Sequence, residues 1–243
     1  MFRIILLIFL FIICLYKPAL AQVRKFKPAK QQFYSRVDSK ILHFGFTVGI
    51  NYFDYAIHNS DYNANQSYRA EQIKFSPGIV LSLISEWNIN EDFGLRFCPG
   101  LLIGKRSITY VNVKEDFTNE VELRSYYTDF PLYVKYKSKR IANYRPYLIG
   151  GISFKLDLSP HNELNPLKNE VIKTEKQDIC LEIGAGIDFY FKFFKLSSEL
   201  KLSLGLKDIA VHIIDENYPD YQEYTDAISQ MNSKIVSLSF HFE

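Results

Sequence analysis

The sequence predicts an all-β chain: an eight-stranded antiparallel transmembrane β-barrel of the outer-membrane type, with long extracellular loops and short periplasmic turns. Three observations predict it. Apolar and polar residues alternate with period two in eight separate stretches. Aromatic residues make up 16% of the chain, 20 Phe and 17 Tyr against one Trp, which favours strands over helices. The glycines sit inside the polar faces of those stretches, not between them.

Composition excludes several other classes. With 47% apolar and 23% charged residues over 243 positions, the chain is too rich in core-forming residues to be disordered. Its mean hydropathy of −0.10 is too low for a bundle of membrane helices. The formal charge of +2 falls to neutral once the leader, with Arg3 and Lys17, is removed, so nothing points to nucleic acid.

The leader comes first. Residues 4–16 form an unbroken apolar run after Arg3 and before Pro18-Ala19-Leu20-Ala21. A basic start, a short apolar core and small residues at the end predict a signal peptide over 1–21, cut after Ala21. The run is shorter than the ~18–20 residues of a spanning helix. Cys14 follows Ile13, which is not the small residue that a lipidation site needs. Residues 22–40 are then a basic periplasmic segment, with Arg24, Lys25, Lys27, Lys30, Arg36 and Lys40 against Asp38. Residues 41–243 form the barrel domain. Its cysteines, Cys98 and Cys180, are too few for a disulfide scaffold; a single bridge is open, and two small apolar fillers are the favoured reading.

The strands follow in order. In 42–52, Phe44, Phe46, Val48, Ile50 and Tyr52 oppose His43, Gly45, Thr47, Gly49 and Asn51. In 73–83, Phe75, Ile79, Leu81 and Leu83 oppose Lys74, Ser76, Gly78 and Ser82. Segments 93–103 and 130–136 set Leu95, Phe97, Leu101, Leu132 and Val134 against Arg96, Gly100, Tyr133 and Lys135, with Asp129 on the polar face just before the latter. Segments 146–158 and 179–191 set Leu148, Ile152, Phe154, Ile183 and Ile187 against Lys155, Asp157, Glu182 and Asp188. In 196–206, Leu200, Leu202 and Leu204 oppose Glu199 and Lys201. Val236, Leu238, Phe240 and Phe242 close the chain.

Alternation does not say which face is outside; glycine does. All of the 11 glycines but Gly150 lie on the polar face, beside long charged side chains. Soluble β proteins use glycine in turns, whereas a narrow eight-stranded interior needs small residues beside large ones. The polar face is therefore the lumen. Its charges balance: Lys74, Arg96, Lys135, Lys155 and Lys201 against Asp129, Asp157, Glu182, Asp188 and Glu199, a paired internal network.

The connections alternate in length. Links 53–72, 111–125, 159–177 and 207–233 are long; links 85–92, 137–144 and 192–195 are short. This is the outer-membrane layout, with long acidic loops outside and both termini at the periplasmic end. Lys137, Lys139, Arg140 and Arg145 in and beside the fourth link form a candidate periplasmic partner surface, able to meet anionic lipid or an acidic protein.

Four segments closely resemble the PorT family: HFGFTVGINYFDY (43–55), FGLRFCPGLLIGKRSITY (93–110), FPLYVKYKSKRIANYRPYLIGG (130–151) and EIGAGIDFYFKFFKLSSELKLSLGL (182–206). The most specific block runs from Pro131 through Lys135, Ser138, Lys139, Arg140, Asn143 and Arg145 to Tyr147. The resemblance implies a small outer-membrane barrel of a Gram-negative bacterium. It also implies a part in type IX secretion and gliding motility, needed for export of proteins with C-terminal secretion signals. It supplies no catalytic residues. The implied partners are outer-membrane lipids and other secretion components at the periplasmic rim.

Chemistry in the chain has little to stand on. His58, Ser60 and Asp61 in the first loop, and His212 and Asp215 in the last, have no spacing that fixes a base against a nucleophile, so a lipid-modifying enzyme is a distant third reading. No metal-ligand spacing, cofactor motif or small-molecule site is expected. The alternative function is an adhesion, surface-binding or purely structural barrel, which would concentrate distinctive sequence in its loops.

Overall fold

Ten strands form one antiparallel sheet: β1 (Leu42–Asn59), β2 (Tyr68–Gln72), β3 (Pro77–Asn88), β4 (Phe93–Phe97), β5 (Gly100–Asn112), β6 (Thr118–Lys137), β7 (Tyr144–Asp157), β8 (Gln177–Tyr190), β9 (Lys195–Gly205) and β10 (Ile228–Phe242). The structure, a computed structural model, describes residues 40–59, 68–72, 77–112, 118–158, 175–209 and 228–243. The leader, the basic segment up to residue 39, Lys74 and the expected strand start at 73–76 lie outside the described residues.

Pairing reduces the ten strands to eight crossings. β4 and β5 share one register against β6, with Phe97 facing Leu132 and Gly100 facing Asp129. Cys98-Pro99 interrupts the ladder there because Pro99, and Pro131 on the neighbouring strand, have no N–H to donate. β2 and β3 both pair with β5. β1 pairs with β10 on one side and β3 on the other, so the sheet closes on itself.

The pleat then sorts the side chains. Phe44, Val48, Ile50, Leu83, Leu132, Ile152, Ile183 and Leu200 are exposed on the outer wall, Phe44 at 69% and Leu83 at 66%. Arg96, Lys135, Glu182 and Glu199 are buried inside. An apolar wall of this extent is unfavourable in water at ~25 cal/mol per Å² and requires a lipid surround. Trp87, Phe93, Tyr136, Tyr144 and Phe191 are exposed at the short-turn end and form an aromatic girdle. Phe93 and Tyr136 pack with ring centroids 5.2 Å apart, and Phe191 and Phe194 stack at 4.9 Å.

The strand ends differ from expectation. β5 and β6 stay paired out to Val111 and Thr118, leaving only 113–117 of the expected link 111–125. β1 runs on to Asn59, and β10 begins at Ile228. Beyond the lipid belt neither face is required to be apolar, so the hydropathy pattern stops while backbone pairing continues. At the other end β3 extends to Asn88 and carries Glu86 into the lumen.

Two adjacent glycines show the two environments. A Cβ on Gly150 would meet nothing within 4 Å, whereas one on Gly151 would run into the carbonyl oxygen of Leu132. Gly151→Leu should therefore destabilise the barrel by ~1–3 kcal/mol, the usual cost of overpacking. Gly150→Leu, which points at lipid, should leave the urea midpoint in detergent unchanged.

Candidate functional site in the lumen and at the short-turn end

Lumen side chains come from alternate positions of each strand, and cross-strand register stacks them in two layers. In the layer farther from the short turns, Lys155 Nζ lies 2.9 Å from Asp129 Oδ1 and 2.5 Å from Glu182 Oε1. It also donates to Ser153 Oγ at 2.8 Å, and Ser153 donates to Asp129. Lys201 Nζ lies 2.9 Å from Glu182 Oε2 and donates to the Tyr133 hydroxyl oxygen at 2.6 Å. That hydroxyl in turn donates to Glu182.

The second layer is centred on Arg96. Its Nε and Nη2 donate to Glu86 Oε2 at 2.9 and 2.7 Å, and its Nη1 donates to Glu199 Oε2 at 3.1 Å. The Tyr147 hydroxyl donates to the same Glu199 oxygen at 2.8 Å. The His241 Nδ1 lies 2.7 Å from the Thr47 hydroxyl, and its Nε2 lies 3.3 Å from Glu199. Lys135 Nζ lies 3.1 Å from Asp188 Oδ2, 3.4 Å from Glu86 Oε2 and 4.0 Å from the Tyr147 ring centroid. Ser197 donates to Asp188 at 2.5 Å, and Lys195 closes the layer on Glu243 at 2.7 Å.

The structure brings together Arg96, Asp129, Lys135, Lys155, Glu182, Asp188, Glu199 and Lys201. Asp157 is buried near the far end of β7, where its N–H donates to the Lys176 carbonyl at 2.7 Å. Glu86, Lys195 and Glu243 belong to the network but fell in expected links or at the chain end. Continuing the alternation from Ser82 through Ile84 would have found Glu86. Apolar clusters complete the filling: Phe53, Val80, Leu102, Tyr127 and Ile235 in one, and Ile84, Cys98, Tyr133, Tyr147 and Ile149 in another. A cavity between Thr47, Cys98, Tyr133, Glu199 and His241 has a volume of about 20 Å³, room for about one water.

The expected four-cation partner surface needs correction. Lys137 is 5% exposed and Arg145 9%, because the pleat of β6 and β7 turns both inward. Lys137 donates to Asn88 Oδ1 and lies 3.7 Å from Glu86. Arg145 donates to the carbonyls of Ser138 at 2.7 Å and Glu91 at 2.9 Å, tying one short turn to another. Arg140 lies 3.7 Å over the Tyr190 ring and donates to the carbonyl of Ala142, a residue with φ of 54°. Of the four, Lys139 is the exposed one. The family-like block 131–147 thus builds the floor of the barrel.

Cys98 and Cys180 are free and buried, so the bridge does not form. Among the described residues no cluster of His, Cys, Asp and Glu is arranged to hold a metal ion. Ser60, Asp61, His212 and Asp215 lie outside the described residues.

Two outcomes follow from this geometry. Glu199→Leu leaves Arg96 short of an anion and should lower stability by ~3–5 kcal/mol, the usual cost of breaking a buried pair; urea unfolding in detergent measures it. The filled lumen should also give no stable, reproducible conductance steps when the purified protein is placed in planar bilayers.

The family comparison agrees with this architecture. The chain matches the family described as outer membrane protein beta-barrel domain over residues 21–211. Similar solved structures include the outer membrane protein OprG from Pseudomonas aeruginosa, with TM-score 0.44 and 9% identity, covering 83% of this chain and 91% of that one. Another is Ail, the attachment invasion locus protein of Yersinia pestis, with TM-score 0.36 and 11% identity, covering 82% and 96%. A third is the N-terminal beta-barrel domain of Pseudomonas aeruginosa OprF, with TM-score 0.28 and 13% identity, covering 80% and 96%. No curated protein matches the chain. A closed antiparallel barrel with lipid-facing apolar walls, matched over most of its length, belongs to the outer membrane protein beta-barrel domain family.

Proposed function

We propose that the chain is a non-enzymatic outer-membrane component of the type IX secretion machinery, similar to PorT. On this reading it is needed for export of proteins with C-terminal secretion signals and acts through its periplasmic, short-turn side. The observation that carries the reading is the block from Pro131 to Tyr147, whose sequence is far more specific than barrel alternation requires. Its residues Lys135, Lys137, Arg145 and Tyr147 anchor the floor from within, while Lys139 projects from the turn between β6 and β7. A rigid floor with a defined turn is the kind of surface that a periplasmic partner can dock on, and an exposed cation there speeds and orients docking. The filled lumen supports a scaffold role over a transport role.

Deleting the gene in its host should abolish secretion of proteins carrying the C-terminal signal, and the intact chain should restore it. Lys139→Glu with Arg140→Glu should impair secretion while heat-modifiable barrel on a gel persists. Removal of 215–226 from the last loop should matter less. Secretion lost with the loop and untouched by the charge reversal would make the extracellular surface the working one, and the surface-binding reading would replace this one.

A further inference from the structure

The outer wall has a dent that alternation alone does not produce. Across β6 to β10 one outward row reads Tyr136, Leu148, Ala185, Leu200 and Leu238. The next row toward the short turns includes Pro146, Ile187 and Ser198. Ala185 and Ser198 are small where their neighbours are large. Between them, Tyr136, Leu148, Leu200 and Phe189 bound a groove of about 630 Å³. That volume lies in the ~300–1,000 Å³ range of small-molecule sites. Because this wall faces lipid, the groove is presented to acyl chains.

The charge next to the groove is one-sided. The groove reaches Ser138 at the start of the turn 138–143 and Phe189 near the turn 191–194. Lys139 and Lys192 are exposed in those turns, and neither turn contains an acidic residue. The other short turn, 89–92, carries Glu91 and Asp92 instead. An apolar slot running up to a basic, acid-free edge has the chemistry of an anionic amphiphile. Exposed Phe193 beside Lys192, with the ring centroid 5.2 Å from Nζ, adds an interfacial aromatic at the same level.

We propose that this groove holds one anionic glycerophospholipid from the leaflet at the short-turn end. An acyl chain fills the dent around Ala185, and the phosphate lies between Lys139 and Lys192. The proposal stands on the barrel and its family, and is independent of the secretion role.

The test is native mass spectrometry of the full chain released from detergent after equilibration with equal amounts of phosphatidylglycerol, phosphatidylethanolamine and lipid A. One phosphatidylglycerol should stay on each barrel, preferred over phosphatidylethanolamine by roughly tenfold, the scale of one to two lysines at an anionic surface. Ala185→Phe fills the dent and should abolish that retention. Lys139→Glu with Lys192→Glu should erase the headgroup preference while lipid is still retained. The double variant leaves the wall untouched, so it decides the matter even if Ala185→Phe perturbs folding. Equal retention of all three lipids, preferential retention of lipid A, or phosphatidylglycerol binding unchanged in the double variant would overturn the proposal.

Discussion

Charges enclosed by this barrel must be neutralised inside it. Arg96, Lys135, Lys137, Lys155, Lys195 and Lys201 are each paired with one or more of Glu86, Asp129, Glu182, Asp188, Glu199 and Glu243. Burying a charge without a partner is unfavourable, so removing one member of a pair costs stability. Much else follows from that constraint. Strand register is fixed, because a slip by one residue would send each buried ion into lipid. Gly186 makes room for the Tyr147 ring, and Gly104 for that of Phe53, in a space eight crossings wide.

The same constraint separates stability from specificity. Replacing such a network with apolar residues often leaves a protein equally stable, so its presence is weak evidence of tight folding. What the network supplies here is a single arrangement. Tyr133 and Tyr147 place their hydroxyls on Glu182 and Glu199 while their rings lie near lysines 201 and 135. Each aromatic therefore acts as a spacer between ion pairs and as a partner to both.

Most of the fold was legible because lipid on one side and a charged lumen on the other impose opposite chemistries on alternate residues. Phe46, Leu101 and Leu200 on the wall, and Arg96 and Lys201 inside, were readable from period two once the glycines had marked the inner face. The reading failed where that contrast disappears. Toward Val111 and Thr118 the paired strands extend beyond the lipid belt, and alternation no longer marks them. Lys137 and Arg145 were read as surface cations because lysine and arginine in a link are normally solvated. The pleat running from Lys135 and back from Tyr147 puts both inside. Short-range pattern was a better guide there than residue type.

The pairs that span the lumen do not join neighbouring strands. Arg96 on β4 reaches Glu199 on β9 and Glu243 after β10. In a flat sheet these groups are separated by several strands, and no rearrangement of side chains could bring them together. Joining β1 to β10 therefore completes the neutralisation that pairs between adjacent strands begin. A half-zipped sheet leaves Arg96 with Glu86 beside it on β3 but without Glu199 and Glu243. The full charge balance thus depends on closure, because the ion pairs that cross the lumen exist only once the sheet has closed on itself.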